Sequence, residues 1–262
     1  MRLWILAGAS LLAACNGGKP EVENQQSLVN EGAAKPAPAP QPVTLTAIDG
    51  VTVYGTYYPA AEPKALILLF HQAGSSSGEY ADIAPRLARA GYSALAIDQR
   101  IGGNLYGANR TMVGYTGKTD YLGALPDLEI ALKWADAKGL PVVLWGSSYS
   151  ASLVFLLANA QDAKNSVKAV IAFSPGEYFD DKKMVEAAAA KVTVPVFVTS
   201  ANALEEEAAA KAIVAATAST DRLQYVPRSG VHGSSTLNPA KNPAGADENW
   251  AAVLGFLKRV FP

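Results

Sequence analysis

Pro141 to Leu157 reads PVVLWGSSYSASLVFLL, and the fold class can be worked out from this stretch. Its first part, Pro141 to Trp145, is a short apolar run with β-branched and aromatic residues, which predicts a buried strand. Gly146-Ser147-Ser148-Tyr149-Ser150 follows, a group of mostly small residues suited to a tight reversal, and Ser150 to Ala160 then patterns as a helix. Strand, turn and helix in direct succession form half of a βαβ unit, so the segments on either side should repeat the alternation.

They do. Upstream, Val43 to Ile48 and Val51 to Tyr58 flank the turn dipeptide Asp49-Gly50 and read as a hairpin. Ala65 to Phe70 reads as a doubly covered strand. Helical patterning runs from Ser77 to Ala90 and ends at Gly91, and Ser93 to Ile97 forms the next strand. A glycine-rich segment, Gln99 to Gly117, leads to a helix at Thr119 to Lys138. Downstream come strand Val167 to Phe173, helix Asp181 to Ala190 and strand Val194 to Ser200. Helix Glu205 to Ala216, strand Arg222 to Val226 and helix Glu248 to Phe261 complete the series. The expected fold class is α/β: one three-layer domain over residues 43–262, with a mostly parallel eight-stranded sheet and helices on both faces. In such sheets ligands bind at the carboxyl ends of the strands, which directs attention to the residues just after each strand.

Composition narrows the function. The chain has 262 residues, is 50% apolar and 17% charged, and carries a formal net charge of −1. That size favours one large domain over two small ones, and the charge gives no basic footprint for nucleic acid. Met1-Arg2, the apolar run Leu3 to Ala14 and then Cys15 form a positive start, a short apolar segment and small residues before a cleavage point. Leu12-Ala13-Ala14-Cys15 resembles a bacterial lipobox, which implies a signal peptide over 1–14 and lipidation of Cys15, the only cysteine. Asn16 in place of Asp implies an outer-membrane destination. Residues 15–42, with Ala-Pro-Ala-Pro and little to bury, read as a solvated tether. Attachment to the membrane is expected through the lipidated N-terminus only, with a monomeric domain in the periplasm or at the surface.

The turn at Gly146 to Ser150 resembles the nucleophile elbow of the α/β-hydrolase superfamily. In that motif the central serine, here Ser148, projects from a strand-to-helix turn, and small flanking residues avoid steric overlap. Gly146 fits the pattern; Ser150 stands where a second glycine is usual. The resemblance implies His232, in Ser229-Gly230-Val231-His232-Gly233 after the last strand, as the base. A neutral imidazole can take a serine proton near pH 7. His71-Gln72-Ala73-Gly74 resembles the family's His-Gly loop, with Gln72 in place of glycine. It implies the backbone amides of Ala73 and Tyr149 as an oxyanion hole, with His71 supporting the loop and Asp98 in a structural role. The family places its acid after the sixth or the seventh strand. Glu205, the first carboxylate after the seventh, is taken first and Glu177 as the alternative, although three glutamates opening a helix are also what its dipole favours.

The implied reaction is acyl transfer to water through an acyl-enzyme, with no cofactor, and two histidines without a cysteine in the domain make a zinc centre a poor fit. Compact size and a short connection after the sixth strand resemble the dienelactone hydrolase-like and small carboxylesterase branches, which implies a small-molecule carboxylic ester as substrate. The glycine-rich segment, with Tyr106, Arg110 and Tyr115, is either one wall of the site or a surface loop. Rival readings are a peptidase or glycan deacetylase on the same fold, and a non-catalytic binding lipoprotein.

Overall fold

The computed structural model describes residues 36–159 and 166–262. All eight expected strands are present: β1 (Gln41–Thr46), β2 (Thr52–Tyr58), β3 (Ala65–Phe70), β4 (Tyr92–Ile97), β5 (Val142–Ser147), β6 (Val167–Phe173), β7 (Val196–Thr199) and β8 (Arg222–Tyr225). They form one sheet in the order β1-β2-β4-β3-β5-β6-β7-β8. β2 runs antiparallel to both β1 and β4, and every other pairing is parallel.

Every residue of β3, β4 and β5 is buried, the consequence of helices on both faces. Alternate residues of β3 serve opposite faces. Leu66, Leu68 and Phe70 enter a core shared with α3 (Leu125–Asp136), α4 (Tyr149–Leu157), α5 (Met184–Ala189) and α6 (Leu204–Ala216). Ala65, Ile67 and Leu69 enter a second core with α1 (Ile83–Arg89) and α7 (Ala246–Val260), to which α7 contributes Trp250 and Phe256 and the sheet Trp145, Phe173 and Phe197. Helix, sheet and helix make the three layers.

Several boundaries differ from those expected from the sequence. β1 begins at Gln41, inside the segment expected to be tether, because Gln41 and Pro42 continue the pairing with Tyr57 and Thr56. The lipobox and the tether up to residue 35 lie outside the described residues. The expected helix Ser77 to Ala90 is a 3-10 turn at Ser77–Tyr80 followed by α1. The glycine-rich segment contains α2 (Arg110–Gly114), which Asn109 caps by accepting from the Met112 amide at 2.9 Å.

Polar anchors hold that segment to the sheet. Asp98, at the end of β4, accepts from the amides of Ser77 at 2.8 Å and Arg110 at 3.0 Å. Arg100, 4% exposed, ion-pairs with the fully buried Asp127 on α3 at 2.7 Å and also with Asp49 in the β1–β2 turn. Removing one partner of such a pair would leave a charge buried without compensation, so this bridge fixes where the loop leaves β4.

Candidate active site

β5 ends at Ser147 and α4 begins at Tyr149, which leaves Ser148 alone to reverse the chain. It does so at φ +60° and ψ −123°, a strained conformation for a residue with a side chain. The surroundings enforce it. A Cβ on Gly146 would lie 2.3 Å from the Ser150 carbonyl oxygen, so only glycine fits there. The Ser148 amide donates to the Phe173 carbonyl of β6 at 2.8 Å. Ser150, in the usual glycine position, is fully buried and takes on a tie of its own: its hydroxyl donates to the His71 carbonyl at 2.6 Å and accepts from Gln99 Nε2 at 2.7 Å.

The strained turn aims Ser148 Oγ at His232 Nε2, 2.8 Å away. His232 Nδ1 lies 2.8 Å from Glu206 Oε1. With Nδ1–H donated to Glu206, the neutral ring leaves Nε2 free to accept the serine proton, which is the tautomer a general base requires. Burial pushes the Glu206 carboxyl up, but hydrogen bonds from His232, Ser174 and the Ala201 amide outweigh it and bring it to about 2. Glu206 is therefore ionised at neutral pH. Its hydrogen bond raises the His232 pKa above the ordinary imidazole value, against burial, which lowers it.

The carboxylate against His232 is thus neither of the two chosen from sequence. Glu205 is solvent-exposed on the first turn of α6, since successive helical residues point in different directions and Glu206 holds the inward one. Glu177 is committed elsewhere: its oxygens accept from the amides of Val185 at 2.9 Å and Glu186 at 2.8 Å, closing the N-terminus of α5. The phase of the folded helix is what singles out Glu206. This residue precedes Ala210 and Ile213, the buried residues of α6, by four and seven positions, which puts all three on one face.

His71 is fully buried, with Nδ1 2.8 Å from the Gln72 carbonyl and Nε2 accepting from the Gln99 amide at 2.9 Å. Burial lowers its pKa to about 4, so it remains a neutral fixture of the loop. The amides of Ala73 and Tyr149 donate to no acceptor among the described residues. That is the condition in which two N–H groups remain available to an oxyanion. Tyr149 starts α4, where the helix dipole adds to the effect.

Sequence reasoning passed over two tyrosines. The Tyr178 hydroxyl donates to the Ser174 carbonyl at 2.9 Å and lies beside Ser148, and Tyr121 stacks on Tyr149 with centroids 4.8 Å apart. The glycine-rich segment divides between two places. Tyr106 reaches the Ser235 hydroxyl at 2.5 Å, three residues past His232. Arg110 and Tyr115 instead line a cavity of about 680 Å³ beside the β1–β2 turn, which none of Ser148, His232 and Glu206 borders.

The family described as "Serine aminopeptidase, S33" matches residues 61–228. Among solved structures, the chain is similar to an esterase from Pyrococcus furiosus, with 18% identity and a TM-score of 0.64 over 86% of this chain and 94% of that one. It is likewise similar to a dienelactone hydrolase from Anabaena variabilis, at 18% identity and a TM-score of 0.66 over 85% and 99% of the two chains. A thermostable carboxyl esterase from Bacillus coagulans is 12% identical, with a TM-score of 0.65 over 86% and 100%. At these identities the likeness is one of fold. No curated protein sequence matches the chain.

Proposed function

The chain belongs to the serine aminopeptidase family of α/β hydrolases, and from that membership we propose that it cleaves carboxylic esters through an acyl-enzyme on Ser148. The observation that carries this reading is the continuous relay of Ser148 Oγ, His232 and Glu206, each step 2.8 Å. Ser148 Oγ attacks the ester carbonyl carbon and passes its proton to His232 Nε2, while the carbonyl electron pair moves onto oxygen, facing the amides of Ala73 and Tyr149. Collapse of the tetrahedral intermediate breaks the ester C–O bond, and the leaving alcohol takes the proton from Nε2. Water then repeats the sequence on acyl-Ser148 and releases the acid. Glu206 remains ionised throughout and holds Nδ1–H.

Preference for esters over peptides rests on how open the site is. Residues 174–183 connect β6 to α5 without a helix, so no cap is inserted there to enclose an extended substrate. Nitrophenyl esters of short acids, aminoacyl nitroanilides and acetylated sugars form the discriminating panel. Turnover of the esters, with the anilides and sugars left intact, is the expected result; cleavage of the anilides alone would make the protein a peptidase.

Cys15, outside the described residues, is proposed as the lipid attachment point on the strength of Leu12-Ala13-Ala14-Cys15. Cys15→Ser should release the protein from the membrane fraction of cells that express it. Retention in the membrane would defeat the lipobox reading without touching the enzymatic one.

A further inference from the structure

Behind the elbow lies a carboxyl group that acyl transfer leaves unused. Glu79, on the 3-10 turn Ser77–Tyr80, is 4% exposed. Its Oε1 accepts from the Ser147 hydroxyl at 2.6 Å and its Oε2 from the Gln72 amide at 2.9 Å. Ser147 Oγ in turn accepts from the Ser234 amide at 2.9 Å. Ser147 precedes Ser148, Gln72 precedes Ala73, and Ser234 follows His232 by two positions. One side chain therefore ties together the three loops that carry the nucleophile, an oxyanion donor and the base.

A carboxylate this deeply buried usually has a cation beside it. Among the described residues no lysine or arginine pairs with Glu79. The titratable groups around it are His232 from the loop after β8, Tyr80 on its own turn, Tyr106 from the loop after β4 and Tyr149 on α4. Of these only His232 becomes a cation, and it does so when it takes the proton of Ser148.

Resting on the serine-hydrolase reading above, we propose that Glu79 is a positioning residue whose carboxylate locks the elbow to the oxyanion loop and lends a second negative charge to the His232 imidazolium. Its protonation then matters. Burial pushes Glu79 up to about 7, against hydrogen bonds from Ser147, the Gln72 amide and Ser75. Above that pH the second charge is present; below it the charge is lost. His232 is held up first by its hydrogen bond to Glu206 and further by the charge of Glu79, so removing that charge lowers the His232 pKa.

Glu79→Gln tests the charge while keeping the shape. The amide oxygen can accept from Gln72 and the amide nitrogen can donate to Ser147, so the variant retains two hydrogen bonds. Two readings need no knowledge of the substrate: the second-order rate of fluorophosphonate labelling at Ser148 against pH, and the titration of the His232 ring by NMR. His71, at about 4, leaves the neutral range clear for the second. Expected is complete labelling at a rate about tenfold lower, the equivalent of one pKa unit of interaction. The acidic limb should show one ionisation where wild type shows two, and the His232 midpoint should fall. Unchanged rate, limb and midpoint would overturn the proposal. Should the glutamine variant not fold, Glu79→Asp carries the test, because it keeps the charge but is too short to span both partners. Slower labelling with the His232 midpoint retained is then expected, and wild-type labelling would overturn the positioning role. Wild type that does not label at all would remove the serine-hydrolase reading itself, a result distinct from a labelled wild type beside an indifferent variant.

Discussion

Ser148→Ala abolishes fluorophosphonate labelling and lowers ester hydrolysis by about 10⁶-fold, and His232→Ala does nearly the same. The two losses do not add, because nucleophile and base act as one unit: without the base the hydroxyl keeps its proton, and without the hydroxyl the base has nothing to deprotonate. The fold should survive the alanine. The elbow is held by the Ser148 amide on the Phe173 carbonyl and by the side chains of Ser147 and Ser150, none of which involves the Ser148 hydroxyl. The strain at φ +60° persists in the variant, since alanine also carries a Cβ. Peptide mapping of the labelled wild type decides between the serine hydroxyls at 147, 148 and 150. Label on Ser147 or Ser150, or label that survives in Ser148→Ala, would refute the assignment. Ser147 and Ser150 are both fully buried with their hydroxyls engaged, whereas Ser148 is 9% exposed and faces a base.

The layers and the strand ladder were legible in the sequence because the central strands of the parallel sheet are mostly apolar runs, β3 with no polar residue and β6 with one. β3 and β6 match the expected ranges residue for residue. Ser148 and His232 were legible for a related reason: the fold puts function immediately after strands, and the chain has only two histidines. The carboxylate opposite His232 was harder to find. Glu205, Glu206 and Glu207 are chemically identical, and only the phase of α6, set by Ala210 and Ile213, separates them. Glu79 was hidden for a different reason. Its importance comes from contacts to Gln72 and Ser147, seven and 68 positions away, and nothing local in Ser77-Gly78-Glu79-Tyr80 marks a glutamate that ends up buried. α2 leaves no mark in the sequence because its five residues are too few to show a period.

Glu206→Gln is expected to lower the rate on the order of 10⁴-fold, while Glu205→Gln leaves it within about twofold. The loss depends on which end of the new amide faces the imidazole. In wild type, Glu206 Oε1 meets His232 Nδ1, and Oε2 accepts from the Ala201 amide at 3.1 Å. A glutamine has one oxygen for these two positions. If the oxygen stays with the Ala201 N–H, the NH₂ group confronts Nδ1 and makes it an acceptor, which moves the ring proton to Nε2 and removes the acceptor that Ser148 needs. If the oxygen stays with Nδ1, two donors meet at Ala201, and the imidazolium still loses its counter-charge. Either way the base is weakened while the elbow remains intact. The pH profile supplies an independent check. Activity requires a neutral His232, so it falls as pH drops through the His232 pKa, which Glu206 holds above the ordinary value of about 6.5. In Glu206→Gln the residual activity should therefore reach to lower pH than in wild type, and in Glu205→Gln the limb should not move. A collapse in Glu205→Gln, or a Glu206→Gln variant with wild-type rate and an unmoved limb, would mean that α6 turns its other face to the histidine in solution. That would reassign the acid, and it would also contradict the burial of Ala210 and Ile213, because a helix cannot turn one glutamate inward without turning the residues a turn further along with it.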